Sequence, residues 1–126
     1  MQRNTTNSFA KGAAIRELNR RGINFYENGI AIRGCNYDNA WAKRINLVGG
    51  WDRLDPEKFN HFILVSFNKN YKDIRYFIFT AQEVRKFTDV KWKNESRQLK
   101  CLSLFRNNTE SDCLIRLSEN LWDKIT

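Results

Sequence analysis

The sequence predicts a single α/β domain built on a mixed sheet flanked by helices. Three observations carry that prediction: apolar residues at helical spacing near both ends, an uninterrupted β-branched and aromatic run in the middle, and a hydrophobic content of 41% in 126 residues. That length and content suffice for one core and not for two, so residues 1–126 are read as one domain. One proline and six glycines, without repeats or biased stretches, argue against linkers and fibrous arrays.

The elements follow in order. Thr5, Thr6, Asn7 and Ser8 can cap a helix, and Phe9, Ala10, Ala13, Ala14 and Leu18 recur near its period until Gly22 stops it, which gives a helix over residues 8–21. Residues 23–27 and 30–33 read as two strands around Asn28-Gly29, a pair that accepts the positive φ of a tight hairpin. A third strand is expected over residues 41–48, closed by Gly49-Gly50, so that the three make a meander; residues 52–60 read as irregular.

Residues 61–67, His-Phe-Ile-Leu-Val-Ser-Phe, have the composition of a buried central strand. A polar turn over residues 68–73 leads to another strand over residues 74–79. Thr80-Ala81-Gln82-Glu83 matches the capping box, in which hydroxyl and carboxylate each satisfy an orphan amide, and predicts a short helix to residue 87. A weaker strand over residues 99–105 follows, and Leu121, Trp122 and Ile125 anchor a closing amphipathic helix over residues 118–125.

Charge narrows the partner. A net +8 on so small a chain favours a polyanion, and residues 1–50 hold eight Lys or Arg against three acids, which places the excess in the first half. Arg16, Arg20 and Arg21 sit at the end of the first helix, where cations suit the helix dipole as well as a phosphate. No apolar run approaches the roughly 20 residues of a membrane helix, and residues 1–8 lead into no hydrophobic segment; the expectation is a soluble, unsecreted protein with no membrane partner. Cys35, Cys101 and Cys113 are odd in number and widely spaced, which fits reduced core thiols in a cytoplasmic or nuclear compartment.

Several chemistries are excluded. His61 is the only histidine and heads an apolar strand, so it reads as a strand-end residue rather than a general base. Zinc-ligand spacing is absent, as are the GxGxxG and GxxxxGK[ST] loops that cradle phosphates, which argues against kinases, NTPases and dinucleotide enzymes. Phe62, Phe67, Tyr76, Phe77 and Phe79 lie in apolar strands and read as core, whereas Trp41, Trp51 and Trp92 stand in polar surroundings as candidate base contacts.

A helix ending in Arg-Glu-Leu-Asn-Arg-Arg-Gly (residues 16–22), a hairpin with Asn-Gly at its tip, and a strand Ile30-Ala31-Ile32-Arg33-Gly34 resemble the opening of the PD-(D/E)XK, or restriction-endonuclease-like, nucleases. Phe59-Asn60-His61-Phe62-Ile63-Leu64-Val65 and Tyr76-Phe77-Ile78-Phe79-Thr80-Ala81-Gln82-Glu83-Val84 are similar to the later core of small members, so the likeness spans residues 8–90. It implies a restriction-endonuclease-like mixed central sheet flanked by helices. In that family two carboxylates hold a divalent metal against the scissile phosphate, and an acid two residues before a lysine shares one strand face with it. Here Ala31 stands where the acid belongs and Arg33 where the lysine belongs, while the hairpin aspartate falls near Ile23 or Asn24. Arg33 keeps a charge that can neutralise a phosphate but cannot accept a proton.

The leading expectation is therefore a DNA-binding domain of nuclease fold with missing or altered catalytic acids. Arg33 would mark the old centre, Arg16, Arg20, Arg21, Lys43 and Arg44 would contact phosphates, and no cofactor would be needed. The alternatives are an active Mg²⁺-dependent endodeoxyribonuclease using Glu17, Glu27 or Asp38 with Arg33, or one whose catalytic glutamate has been replaced by Ala31; and a pseudo-nuclease interaction module or inhibitor. By analogy with small nuclease-fold proteins, a homodimer is also expected.

Overall fold

The computed structural model describes residues 2–38, 47–86, 90–94, 97–105 and 119–125. The first helix, α1 (Gln2–Arg20), starts ahead of the predicted residue 8, so Thr5, Thr6, Asn7 and Ser8 lie within it instead of capping it; of the predicted stripe it buries Ala10, Ala13, Ala14 and Leu18 and leaves Phe9 half-buried. It ends in a Schellman motif: Ile23 N donates to Leu18 O (2.9 Å), Gly22 N donates to Asn19 O (3.1 Å), and Gly22 takes the left-handed φ of 72° that this cap requires.

The hairpin expected over residues 23–33 does not form. Residues 25–29 make a turn instead, because the Asn24 side-chain oxygen accepts from Tyr26 N (2.9 Å) and Glu27 N (3.2 Å) and folds the chain locally. Only its second half becomes a strand, β1 (Ile30–Asn36), and its described partner lies about thirty residues downstream.

The remaining strands are β2 (Leu47–Leu54), β3 (His61–Phe67), β4 (Arg75–Thr80), β5 (Val90–Asn94) and β6 (Arg97–Phe105). β1 pairs in parallel with β3, from Ile30 opposite His61 to Asn36 opposite Phe67, and β3 pairs antiparallel with β4. This makes a mixed sheet in the order β1-β3-β4, beside an antiparallel sheet in the order β2-β6-β5. The architecture is thus mixed α/β, but the expected three-strand meander is replaced by a crossover. β2 also runs through Gly49-Gly50 instead of ending there. The part of that strand before residue 47 lies outside the described residues.

β3 behaves as its composition predicts, buried on both faces between two apolar clusters. On one face Ile63, Val65 and Phe67 pack with Ile30 and Ile32 of β1, with α1, and with Trp122 and Ile125. On the other, Phe62 and Leu64 pack with Ala31, Cys35, Trp51, Leu54, Phe77 and Phe79. Fully burying side chains of this size contributes roughly 1.5–3 kcal/mol each, so the double cover over β3 dominates the stability of the described residues.

The capping box forms in full. Thr80 Oγ1 accepts from Glu83 N (3.2 Å), and Glu83 Oε1 accepts from Thr80 N (2.9 Å), starting α2 (Ala81–Arg85). The closing helix is shorter than its pattern suggests: residues 122–125 form one 3₁₀ turn, Trp122–Ile125, and Glu119 pairs with Phe77 as an isolated bridge. Among the described residues no helix is long and apolar enough to cross a membrane.

Candidate nucleic-acid interface

The arginines at the end of α1 are unequal. Glu17, largely shielded, accepts from Arg20 at 3.1 Å and lies 3.7 Å from Arg21, so one carboxylate ties down two cations. Arg21 also lays its guanidinium 4.8 Å from the centre of the Trp122 ring. Arg16 is exposed and makes no ion pair with a described residue. It lines a shallow cleft between α1 and the start of β4, with Phe9, Glu17, Ile74 and Tyr76. Burial pushes the Tyr76 phenol above its ordinary range, helped by Glu17 and opposed by Arg16.

Beyond this cleft, Lys11, Lys58, Lys69, Lys72 and Lys86 are exposed and make no ion pair with a described residue. The acids are more committed. Glu57 meets Arg85, Glu83 meets Lys124, and Glu119 meets Arg75. Asp38 Oδ2 accepts from Lys69 N at 3.1 Å, and Asp73 Oδ2 accepts from the Tyr37 hydroxyl at 2.6 Å. Among the described residues Arg16 and the exposed lysines have no carboxylate within ion-pair distance, which favours attraction of a polyanion.

The proposed metal acids are not brought together. Glu17 belongs to α1, which covers one face of the β1-β3-β4 sheet, whereas Ala31 sits in the apolar cluster on the opposite face, only 2% exposed. Strand alternation gives Arg33 the same face as Ala31; it is half-buried and donates to the Ile32 carbonyl at 3.0 Å. Glu27 is exposed on the 25–29 turn, and Asp38 fixes the backbone of the 68–73 turn. Among the described residues no group of three or more His, Cys, Asp or Glu side chains is gathered.

Of the other candidates, Trp51 is corrected from a base contact to a core residue: it is 4% exposed, its ring stands 5.6 Å from that of Phe77, and its indole N–H donates to Val65 O at 3.0 Å. His61 is half-buried at the head of β3, with Nδ1 3.4 Å from Asn28 O. Trp41, Lys43 and Arg44 lie outside the described residues, as does the Trp92 side chain.

Sequence reasoning passed over Lys69, Tyr71 and Lys72, which it read only as a polar turn. The signal is an aromatic residue between two lysines, and the sequence does not show that Tyr71 stays 43% exposed while packing on Phe67 and Phe9.

Compared with family models, with curated proteins and with solved structures, the chain matches none of them.

Proposed function

We propose that this protein binds nucleic acid through its uncompensated surface cations and does not cleave it at the position corresponding to a nuclease centre. The observation that carries the reading is the uneven pairing of the arginines of α1: Glu17 bonds Arg20 and lies 3.7 Å from Arg21, whereas Arg16, which lines the same cleft as Glu17, makes no ion pair with a described residue. A nuclease-like ancestry with lost chemistry belongs to the same proposal, supported by the Ala31-x-Arg33 spacing on one strand face. The absent hairpin weighs against that ancestry. Binding is argued from charge and does not depend on it.

Fluorescence anisotropy with a labelled DNA oligomer, titrated between about 50 and 200 mM salt, tests the reading. Each phosphate neutralised contributes about 0.7 (single strand) to 0.9 (duplex) to the slope of log affinity against log salt. Replacing Arg16 by Gln should weaken binding and lower that slope by about one contact. Affinity too weak to measure at the lowest salt, or independent of salt, would remove the proposal. Mg²⁺-dependent cleavage that disappears in Glu17→Gln would replace it with the enzymatic alternative.

A further inference from the structure

The turn between β3 and β4 holds an aromatic residue in a backbone conformation that tyrosine rarely adopts. Tyr71 has a φ of 58°, in the left-handed region that favours glycine or asparagine. Its surroundings over-determine that geometry. Asn68 N donates to Lys72 O (2.9 Å), Tyr71 N donates to Asn68 O (3.0 Å), and Asn68 Oδ1 accepts from Asn70 N and Lys72 N (2.9 and 3.0 Å). An asparagine at position 71 would hold the same turn with less strain, and the tyrosine is held in it by its packing on Phe67 and Phe9.

The ring is mounted against two other aromatic rings on a residue that stays partly exposed. Phe67 stacks behind it, with centroids 5.7 Å apart and planes 25° apart, and Phe9 braces it at 4.7 Å. Tyr71 nonetheless remains 43% exposed. Lys69 and Lys72 flank it, exposed and without an ion pair among the described residues. The acids beside the turn, Asp38 and Asp73, are held by the Lys69 amide and the Tyr37 hydroxyl. Phe9 links this platform to the cleft of Arg16, since it lines that cleft as well.

We infer that the 68–73 turn is a stacking platform for an unpaired nucleobase, with Lys69, Lys72 and Arg16 meeting the neighbouring phosphates, so that the ligand is single-stranded nucleic acid. The inference rests on the nucleic-acid reading above and narrows it. Base faces are hidden inside a duplex, whereas every unpaired base offers one to an aromatic ring. A rigidly backed tyrosine between cations meets both needs of a single strand, stacking surface and positive charge.

The test compares three labelled DNAs of equal length at one salt concentration: oligo-dT, an abasic strand with the same phosphates, and a duplex. Oligo-dT should bind tightest, with the abasic strand about tenfold weaker or more. Tyr71→Asn, chosen because asparagine tolerates the left-handed turn, should bring oligo-dT down to the abasic level, while Tyr71→Phe should bind as the unaltered protein does. Equal affinity of the unaltered protein for oligo-dT and the abasic strand would overturn the platform without reference to any variant. A duplex bound as tightly as oligo-dT would overturn it too. Both of those results leave salt-dependent nucleic-acid binding standing, whereas failure to bind all three DNAs sinks the broader reading with it.

Discussion

Arg75 and Glu119 face each other through two parallel hydrogen bonds, Nε to Oε2 at 3.0 Å and Nη2 to Oε1 at 2.8 Å. The pair joins β4 to the closing segment, two parts of the chain 44 residues apart, and the hydrogen bond to Glu119 raises the Arg75 guanidinium above its ordinary range against the pull of burial. Both side chains are a little over a quarter exposed, so solvent screens part of the attraction. Glu119→Gln should lose about 1 kcal/mol, lowering the melting temperature by about 4 °C, with the difference shrinking in 1 M salt. An unchanged melting temperature would show the pair to be inert.

Glu83 should make stability depend on acid. Burial alone would raise its carboxyl, but the Thr80 amide and the Lys124 ammonium, at 3.1 Å, together hold it below the usual range. Because the folded group binds its proton less readily than the unfolded one, its contribution is complete above the ordinary glutamate range, around pH 4.3, and is lost as pH falls through the lower folded value. Melting curves of the unaltered protein and Glu83→Gln should therefore differ most near neutrality and converge in acid. A gap that stays constant down to the acid limit contradicts this assignment.

Ala31→Glu should unfold the protein rather than restore an enzyme. The position is 2% exposed in the apolar cluster of Trp51, Leu54, Phe62, Leu64 and Phe77, where a carboxylate loses its hydration at a penalty of several kcal/mol that the half-buried Arg33 on the same strand face offsets only in part. Circular dichroism with and without Mg²⁺ checks the point. A folded variant stabilised by Mg²⁺ would instead reveal a metal site at the old nuclease position.

Gly34→Ala should destabilise through contact, not conformation. A methyl group there would stand 2.7 Å from the Ala10 Cβ and 2.8 Å from the Thr6 carbonyl oxygen, at the place where α1 lies against β1. Overpacking of this kind costs about 1–3 kcal/mol, which a urea midpoint would register, and Ala10→Gly in the same chain should recover part of it.

Local signals survived the passage from sequence to structure, and contacts between distant segments did not. The strand His61–Phe67 and the capping box Thr80-Ala81-Gln82-Glu83 are each specified by adjacent residues, and both form as expected. The Asn28-Gly29 pair specifies a turn, with Gly29 at φ 58°, but not a hairpin. What defeats the hairpin is Asn24, whose side chain satisfies nearby amides, together with the β3 edge, which takes up β1 in parallel. β5, which the sequence did not suggest, pairs with β6, and β6 also bonds to β2 some fifty residues earlier, a register that no local pattern encodes. At the candidate interface the cations were visible in the composition. Which of them Glu17 would meet depends on helix geometry, and the placement of Tyr71 depends on its packing against Phe67 and Phe9.

The bridge between Phe77 and Glu119, with Asn120 N donating to Tyr76 O at 2.9 Å, bears on how the molecule treats its own copies. Among the described residues no other strand lies beside the outer side of β4, which would otherwise offer a row of backbone donors and acceptors to an extended peptide. Residues 119–125 occupy part of that row and place Trp122 and Ile125 in the core behind it. A lesion that loosens this segment would open a template for strand addition and a greasy floor together, turning a local defect into a seed for self-association.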